Sequence, residues 1–263
     1  MGYRSYKDVN VTYGSTEILC KSLSINNSNS LGHGKDRLSI SSGVYYGNQR
    51  PTTTINLEYL IGSNGDPLYQ EFSGLFHGSQ NFKDVASSKA LVIGEYTFTG
   101  LCPQSLSISA SDNSLFNASA SLTYYGNIND QIEEAEEVES VDFEDDMSVG
   151  HSAASPVVGV DGVSELSFSV SLKQNPIFLI LNQGSSPDFI DITERRAECS
   201  LKSTGISDFV TTHGDDASAS FAVNDLFGDS LQYYAISGKI QSTELTLSAG
   251  DVVSTNISII SLK

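Results

Sequence analysis

The chain has 263 residues, enough for one large domain or two smaller ones. Its formal net charge is −18, and only 17% of its residues are charged. Affinity for phosphates comes from Lys and Arg, so this balance argues against nucleic acid as an ordinary ligand and against anionic membranes. Cys20, Cys102 and Cys199 are too few and too far apart for a disulfide framework or a zinc site, and we expect reduced thiols.

The N-terminal sequence MGYRSYKDVNVTYG lacks the apolar core of a secretory signal. No apolar run approaches the roughly 20 residues that a membrane span needs. The longest run, residues 177–181, is predicted to be a core strand. We therefore expect synthesis in a reducing cytoplasm, with no membrane as partner.

Alternation of apolar and polar residues predicts β-strands along most of the chain. In chain order, the predicted strands lie around residues 106–110, 116–124, 166–172, 234–236 and 245–249. The turn sequences GSNGDP, SDNS and AGD separate such runs at short intervals. The pattern predicts an all-β, antiparallel fold.

Signals for helices are few. The segment Pro67–Phe76 predicts one or two helical turns, with Leu68, Phe72 and Leu75 on one side. A second candidate is Pro187–Arg196, because proline is favoured at the first position of a helix. Neither segment is long enough to be stable as a helix on its own. We therefore expect at most one short helix in each half of the chain.

An acidic segment divides the chain. Nine of the fourteen residues at 133–146 are acidic, and a stretch rich in small residues, Pro and Gly follows. Because like charges repel and resist packing, we interpret residues 131–162 as a connection between domains at 1–130 and 163–263. A solvated linker, an acidic surface facing a lumen and a cation site all remain open for this segment.

The two halves end in similar sequences. Tyr96 and the residues that follow it align with Tyr234 and its successors, so that Gly100 matches Gly238 and Asp112 matches Asp251. Upstream, two further pairs of segments are parallel: 89–93 with 220–224, and 52–57 with 196–201. Self-similarity of this kind predicts an internal duplication, with two domains of similar topology.

No motif of an enzyme stands out. The four histidines, His33, His77, His151 and His213, lie next to Gly or Ser in apparent loops. Nucleophilic catalysis needs such a base beside an activated nucleophile, and GHSAA at 150–154 lacks the final glycine of a nucleophile elbow. HExxH, Walker and GxGxxG motifs are absent from the sequence. We predict no catalytic, cofactor-binding or metal site and no cofactor.

The paired chain segments resemble a known family. GLCPQSLSISASDNSLFNASASLTYYG and GKIQSTELTLSAGDVVSTNISIISL each resemble the end of a tail tube domain of long-tailed, siphophage-type bacteriophages. KDRLSISSGVYYGNQRPTTTINLEYL resembles the earlier strands of that domain. The resemblance lies in the pattern of strands and turns, over about two thirds of the chain.

The resemblance implies two fused β-sandwich or barrel domains in a structural virion protein that is not an enzyme. It also implies trimers with pseudo-sixfold symmetry that stack into a tube around a DNA channel, contacts with other tail proteins, and passage of DNA without sticking. Two alternatives remain. One is another tail component of the same fold, a terminator or a distal tail protein. The other is a carbohydrate-binding β-sandwich that uses Tyr45, Tyr46, Tyr124 and Tyr125.

Overall fold

The computed structural model describes residues 10–28, 31–35, 43–47, 51–62, 65–77, 89–94, 96–111, 115–125, 133–134, 151–153, 163–178, 187–204, 214–224, 230–246 and 254–263. Most of these residues lie in strands, and one helix, α1, spans Pro67–His77. The strands are β1 (Val11–Tyr13), β2 (Thr16–Glu17), β3 (Leu19–Ser28), β4 (Leu31–Lys35), β5 (Gly43–Gly47), β6 (Thr52–Leu60), β7 (Leu91–Ile93), β8 (Tyr96–Phe98), β9 (Cys102–Ser111), β10 (Asn117–Tyr125), β11 (Glu133–Glu134), β12 (His151–Ala153), β13 (Val163–Ile177), β14 (Phe189–Thr204), β15 (Asp216–Asn224), β16 (Ser230–Thr246) and β17 (Ser254–Leu262).

The predicted all-β fold is confirmed, and alternation accounts for it. In β10, Ala118, Ala120 and Leu122 are buried, whereas Ser119 between them is exposed. The same alternation buries Leu166, Phe168, Val170 and Leu172 of β13. Successive side chains of a strand point to opposite faces, so each strand contributes one face to the core and one to solvent.

The strands form two large antiparallel sheets and one small one. The larger sheet has ten strands in the order β12-β15-β16-β17-β14-β13-β9-β10-β6-β3, and the second has five in the order β11-β8-β7-β1-β2. Strands β4 and β5 pair separately as a hairpin. Apolar residues from both large sheets and from α1 belong to one buried core, which gives the molecule its sandwich character.

Two runs of four strands in the larger sheet have the same order. In the first half of the chain the neighbours are β3-β6-β10-β9, and in the second half they are β13-β14-β17-β16. Segments 52–57 and 196–201, which are parallel in sequence, lie in the corresponding strands β6 and β14. The division into two domains at 1–130 and 163–263 stays a prediction, since both halves share one sheet and one core.

Irregularities of the ladders recur at corresponding positions. Gln104 is the extra residue where β9 pairs with β10, and Gln241 is the extra residue where β16 pairs with β17. Likewise, Lys21 of β3 and Ser164 of β13 are the extra residues opposite β6 and β14. A β-bulge fixes strand register and local twist. Matched by these bulges, the two runs share register as well as strand order. The bulge match shifts β9 against β16 by one residue from the sequence match of Gly100 with Gly238, and by two from that of Asp112 with Asp251.

The two aligned glycines have different local roles. Gly100 has φ of +67° and separates β8 of the smaller sheet from β9 of the larger sheet. At Gly238, β16 continues without a break, and a Cβ atom would lie 2.1 Å from the carbonyl oxygen of Ile260. Glycine is required at the first position for a left-handed backbone and at the second for close approach of two strands. The aligned Asp112 and Asp251 lie outside the described residues.

Of the two predicted helices, one is confirmed and one is wrong. Helix α1 buries Leu68, Phe72 and Phe76. Residues 189–196, predicted to be helical, instead form the start of β14, which pairs with β13 and β17. Backbone hydrogen bonds to β13 along this segment, joined at Arg195 and Arg196 by bonds to the C-terminal residues of the chain, outweigh a local helix signal that is based on one proline. Ile177, the first residue of the core strand predicted at 177–181, ends β13 with 38% of its surface exposed, and residues 179–181 lie outside the described residues.

Two short strands lie within the predicted connection at 131–162. Glu133–Glu134 pairs with β8, and His151–Ala153 pairs with β15. Most of the acidic run lies outside the described residues. The backbone of His151, like that of His33 in β4, is therefore in a strand and not in a loop as the sequence predicted.

Candidate assembly interface

The two runs of strands meet where β9 pairs with β13. Seven residue pairs join these strands, from Ser105 opposite Ser171 to Ser111 opposite Glu165. On the core side, Ile108 lies opposite Phe168, and the two side chains are 0% and 2% exposed. The outer side of the same pairing carries mainly serines. The junction is thus a continuous antiparallel sheet with a buried apolar row.

Side chains also connect the halves at one end of this junction. The amide of Gln174 in β13 donates a hydrogen bond to the carbonyl of Pro103 in β9. Its oxygen accepts a hydrogen bond from the hydroxyl of Tyr125, at 3.0 Å. These bonds fix the register of β13 against the strands of the first half.

Beneath the sheet, Asp66 joins helix α1 to both halves. Its carboxylate accepts hydrogen bonds from the hydroxyls of Tyr59 at 2.9 Å and Tyr234 at 3.0 Å. The carboxylate also accepts hydrogen bonds from the backbone N–H groups of Leu68 and Tyr69, each at 3.1 Å, so Asp66 is the N-cap of α1. Burial raises the pKa of Asp66 despite these four bonds. Burial also raises the pKa values of the Tyr59 and Tyr234 hydroxyls, and the neighbouring Asp66 carboxylate raises these two pKa values further.

Aromatic rings surround this carboxylate. Tyr69 lies edge-on to Tyr234, with ring centroids 4.4 Å apart, and also contacts Phe168 of the junction. Phe221 of β15 stacks on Tyr234, with centroids 4.8 Å apart. The helix and the junction therefore pack on one cluster, so that movement of either half would disturb the other.

Two strands of the larger sheet have an edge without a described neighbour, and they correspond to the two strands of the junction: β3 corresponds to β13, and β16 to β9. Strand β3 is the terminal strand, and it pairs only with β6 among the described residues. The end of β16, Ser242–Thr246, pairs with β17 on one side and with no described strand on the other. Each edge exposes one large apolar residue, Ile25 at 41% and Leu245 at 43%. Unpaired edges with apolar side chains are sites where further strands can add.

The outer face of the sheet is covered by hydroxyl and amide groups. Ser107 and Ser119 lie within hydrogen-bond distance at 2.9 Å, and Ser200 donates to Asn256 at 3.0 Å. Two lysines on this face pair with carboxylates: Lys202 with Glu165 at 2.6 Å and Lys21 with Glu58 at 3.6 Å. The described part of this face is hydrophilic, and these two lysine charges are neutralised locally.

The residues considered for chemistry are placed apart. His77 ends α1, lies 3.2 Å from the Nζ of Lys263, and has its pKa lowered by burial and by that lysine. Burial raises the thiol pKa values of Cys102 and Cys199 to about 12. His213 lies outside the described residues, and the side chains of His33 and His151 are not described. In the part of the chain that the structure covers, no three His, Cys, Asp or Glu side chains form a metal-binding group.

The tyrosines considered for sugar stacking include buried ones. Tyr124 is only 7% exposed and belongs to the core, while Tyr125 is half-buried and bonded to Gln174. Tyr45 and Tyr46 lie in β5, and their side chains are not described. No helix among the described residues is both long and apolar enough to cross a membrane.

Comparison with known proteins gives no family. No protein-family model matches the sequence, and no curated protein matches it. The likeness to tail tube domains therefore depends on the sequence pattern of the two similar chain ends alone.

Sequence reasoning missed the two features that organise this interface. The first is the junction of β9 with β13, since pairing between distant strands leaves no local signal. The second is Asp66, which was visible only as part of a turn sequence. An acidic residue directly before a proline that begins a helix is a recognisable N-cap signal and could have identified it.

Proposed function

We propose that this chain is a structural subunit of the tail-tube type, which assembles with further copies into rings around a DNA channel. The observation that carries the proposal is the junction of β9 with β13. It joins two runs of strands with the same order and the same bulges into one sheet. A contact that repeats head to tail generates a ring when its rotation closes.

The outer face of the sheet supports a role as a channel wall. Its Ser, Thr and Asn side chains can form hydrogen bonds with water, and Lys21 and Lys202 are each paired with a carboxylate. Each unpaired Lys or Arg at a channel wall would add salt-dependent affinity for DNA phosphates and slow its passage. The net charge of −18 acts in the same direction. An internal duplication would supply two ring positions per chain, so that three chains form a pseudo-sixfold ring.

On this proposal the protein is made in the host cytoplasm, acts in the virion tail and contacts other tail proteins. Electron microscopy and light scattering of the purified protein, over a range of concentrations, test it. We expect ring-shaped particles containing three chains, and stacked rings at high concentration. Single rings that never stack would favour a terminator or a distal tail protein. A protein that stays monomeric at high concentration, with no rings in micrographs, would refute the assembly.

A further inference from the structure

The junction inside the chain predicts the contact between chains, an inference that rests on the proposed function. Strand β9 of the first run pairs with β13 of the second run. The counterpart of β9 in the second run is β16, and the counterpart of β13 in the first run is β3. Among the described residues, the terminal strand β3 and the end of β16 beyond its pairing with β15 each have no neighbouring strand on one side. The edge of β16 in one copy could therefore pair with the edge of β3 in another, as β9 pairs with β13 within the chain.

The bulges give the register of this second junction. Ile108 lies four residues after the bulge residue Gln104, and Leu245 lies four residues after Gln241. Phe168 lies four residues after the bulge residue Ser164 of β13. Ile25 lies at the same distance after Lys21 of β3. Because Ile108 is opposite Phe168 in the internal junction, Leu245 would lie opposite Ile25 in the external one.

We propose that the edge Ser242–Thr246 of one copy pairs antiparallel with the edge Ser24–Ser28 of a second copy, with Leu245 directly opposite Ile25. The pair is exposed in the single chain, at 43% and 41%, whereas its internal counterpart is at most 2% exposed. Formation of the contact would bury both side chains as a cross-strand pair. The second copy is the partner because its edge already has the matching register.

The neighbouring positions are compatible with this register. It places Glu244 opposite Asn26, Thr246 opposite Ser24, and Ser242 opposite Ser28. No like charges face each other, and the amide of Asn26 can donate a hydrogen bond to the carboxylate of Glu244. Like charges directly opposite each other would have been destabilising. The serine and threonine pairs also resemble the serine rows on the outer side of the internal junction.

Disulfide cross-linking tests the register. In a Cys20→Ser background, the variant Ile25→Cys with Leu245→Cys should form disulfide-linked chains under oxidation, seen as multimers on a non-reducing gel. Directly opposite residues of a strand pair come close enough for a disulfide. The matched control combines Ile25→Cys with Thr243→Cys, which is shifted by two residues along the same face. We expect the control to give at least tenfold fewer linked chains.

The outcomes separate this inference from the proposed function. Rings without the 25–245 link, or with an equal or stronger link in the control, would overturn the register and leave ring assembly intact. Efficient linkage of chains that carry only Ile25→Cys or only Leu245→Cys would indicate a two-fold contact and refute head-to-tail pairing. Absence of any assembly would refute both proposals.

A charge exchange gives a second, independent measurement. Ile25→Lys alone and Leu245→Glu alone should each raise the concentration needed for half-assembly by roughly tenfold, because each removes a buried apolar contact. Both side chains are exposed in the single chain, so folding should be retained. The double variant should recover most of the loss, since the two charges would lie opposite each other. Equal losses in single and double variants would contradict direct pairing.

Discussion

Replacing Asp66 by alanine should destabilise the fold by about 3 kcal/mol, more than any single exposed carboxylate. The Asp66 carboxylate accepts hydrogen bonds from the hydroxyls of Tyr59 and Tyr234, and these two residues are 1% and 0% exposed. A buried hydroxyl that loses its partner costs about 1–3 kcal/mol, and loss of an N-cap costs about 0.5–2 kcal/mol. Relief of the cost of burying a carboxylate offsets part of that sum.

Urea denaturation at neutral pH, followed by far-ultraviolet circular dichroism, measures this change. The matched control is Asp216→Ala, which also removes one carboxylate. The side chain of Asp216 is 88% exposed, and its ion pair with Lys239 is on the surface. Exposed pairs contribute about 0–1 kcal/mol, so the control should lose little stability. Equal losses in the two variants would refute the central role of Asp66.

A double-mutant cycle separates the hydrogen bonds from the loss of side-chain volume. Tyr234→Phe removes one hydroxyl, and in the Asp66→Ala background its additional cost should be close to zero. Combining the two changes should therefore cost clearly less than the sum of the single changes, because both remove the same bond. Strict additivity would mean that the 3.0 Å contact contributes nothing to stability.

Three further predictions concern backbone, titration and thiols. Gly238→Ala should destabilise the fold by about 1–3 kcal/mol, because the added Cβ would overlap the neighbouring strand. Gly74→Ala should stabilise the fold by about 0.4–1 kcal/mol, because the added Cβ meets open space on α1. Thermal unfolding of the two variants should therefore give shifts of opposite sign. Burial raises the pKa of Asp66 in the folded state, so the contribution of this carboxyl group to stability is greatest below the ordinary carboxyl pKa and is lost as the pH rises through the raised pKa. The free energy of unfolding of Asp66→Asn should therefore increase relative to that of the natural chain as the pH rises through this range. A difference in unfolding free energy that does not change with pH would contradict this prediction. Cys20 should react first with a thiol reagent at pH 8, because burial raises the pKa values of the Cys102 and Cys199 thiols to about 12. All three thiols should react after unfolding. Equal reaction rates in the folded protein would show that burial does not protect Cys102 and Cys199.

Local patterns predicted much of the secondary structure. Alternation identified β10 and β13 because one face of each strand is buried and the other is solvated. Spaced apolar residues identified α1 for a related reason. The start of β14 was misassigned, since its charged residues between 194 and 196 do not alternate with apolar ones. Its conformation depends on pairing with β13, which only the folded chain provides.

The interface was less predictable than the strands. Aligning the ends of the halves indicated that they are related, but it could not show that β9 pairs with β13. Nor could it show that Ile25 and Leu245 are exposed, because both belong to alternating runs that normally face a core. Exposure at these two positions follows from the absence of a neighbouring described strand at each edge, a property of the whole sheet.

The internal junction has a consequence for how assembly would respond to dilution. Its two strands belong to one chain, so their local concentration is fixed by the connecting segment and not by the amount of protein. Contacts between chains, in contrast, follow mass action and are lost first when protein is scarce. Early in synthesis, each molecule would therefore exist as a preformed double unit with two open ends. Growth would then proceed two positions at a time, which halves the number of contacts between chains in a closed ring.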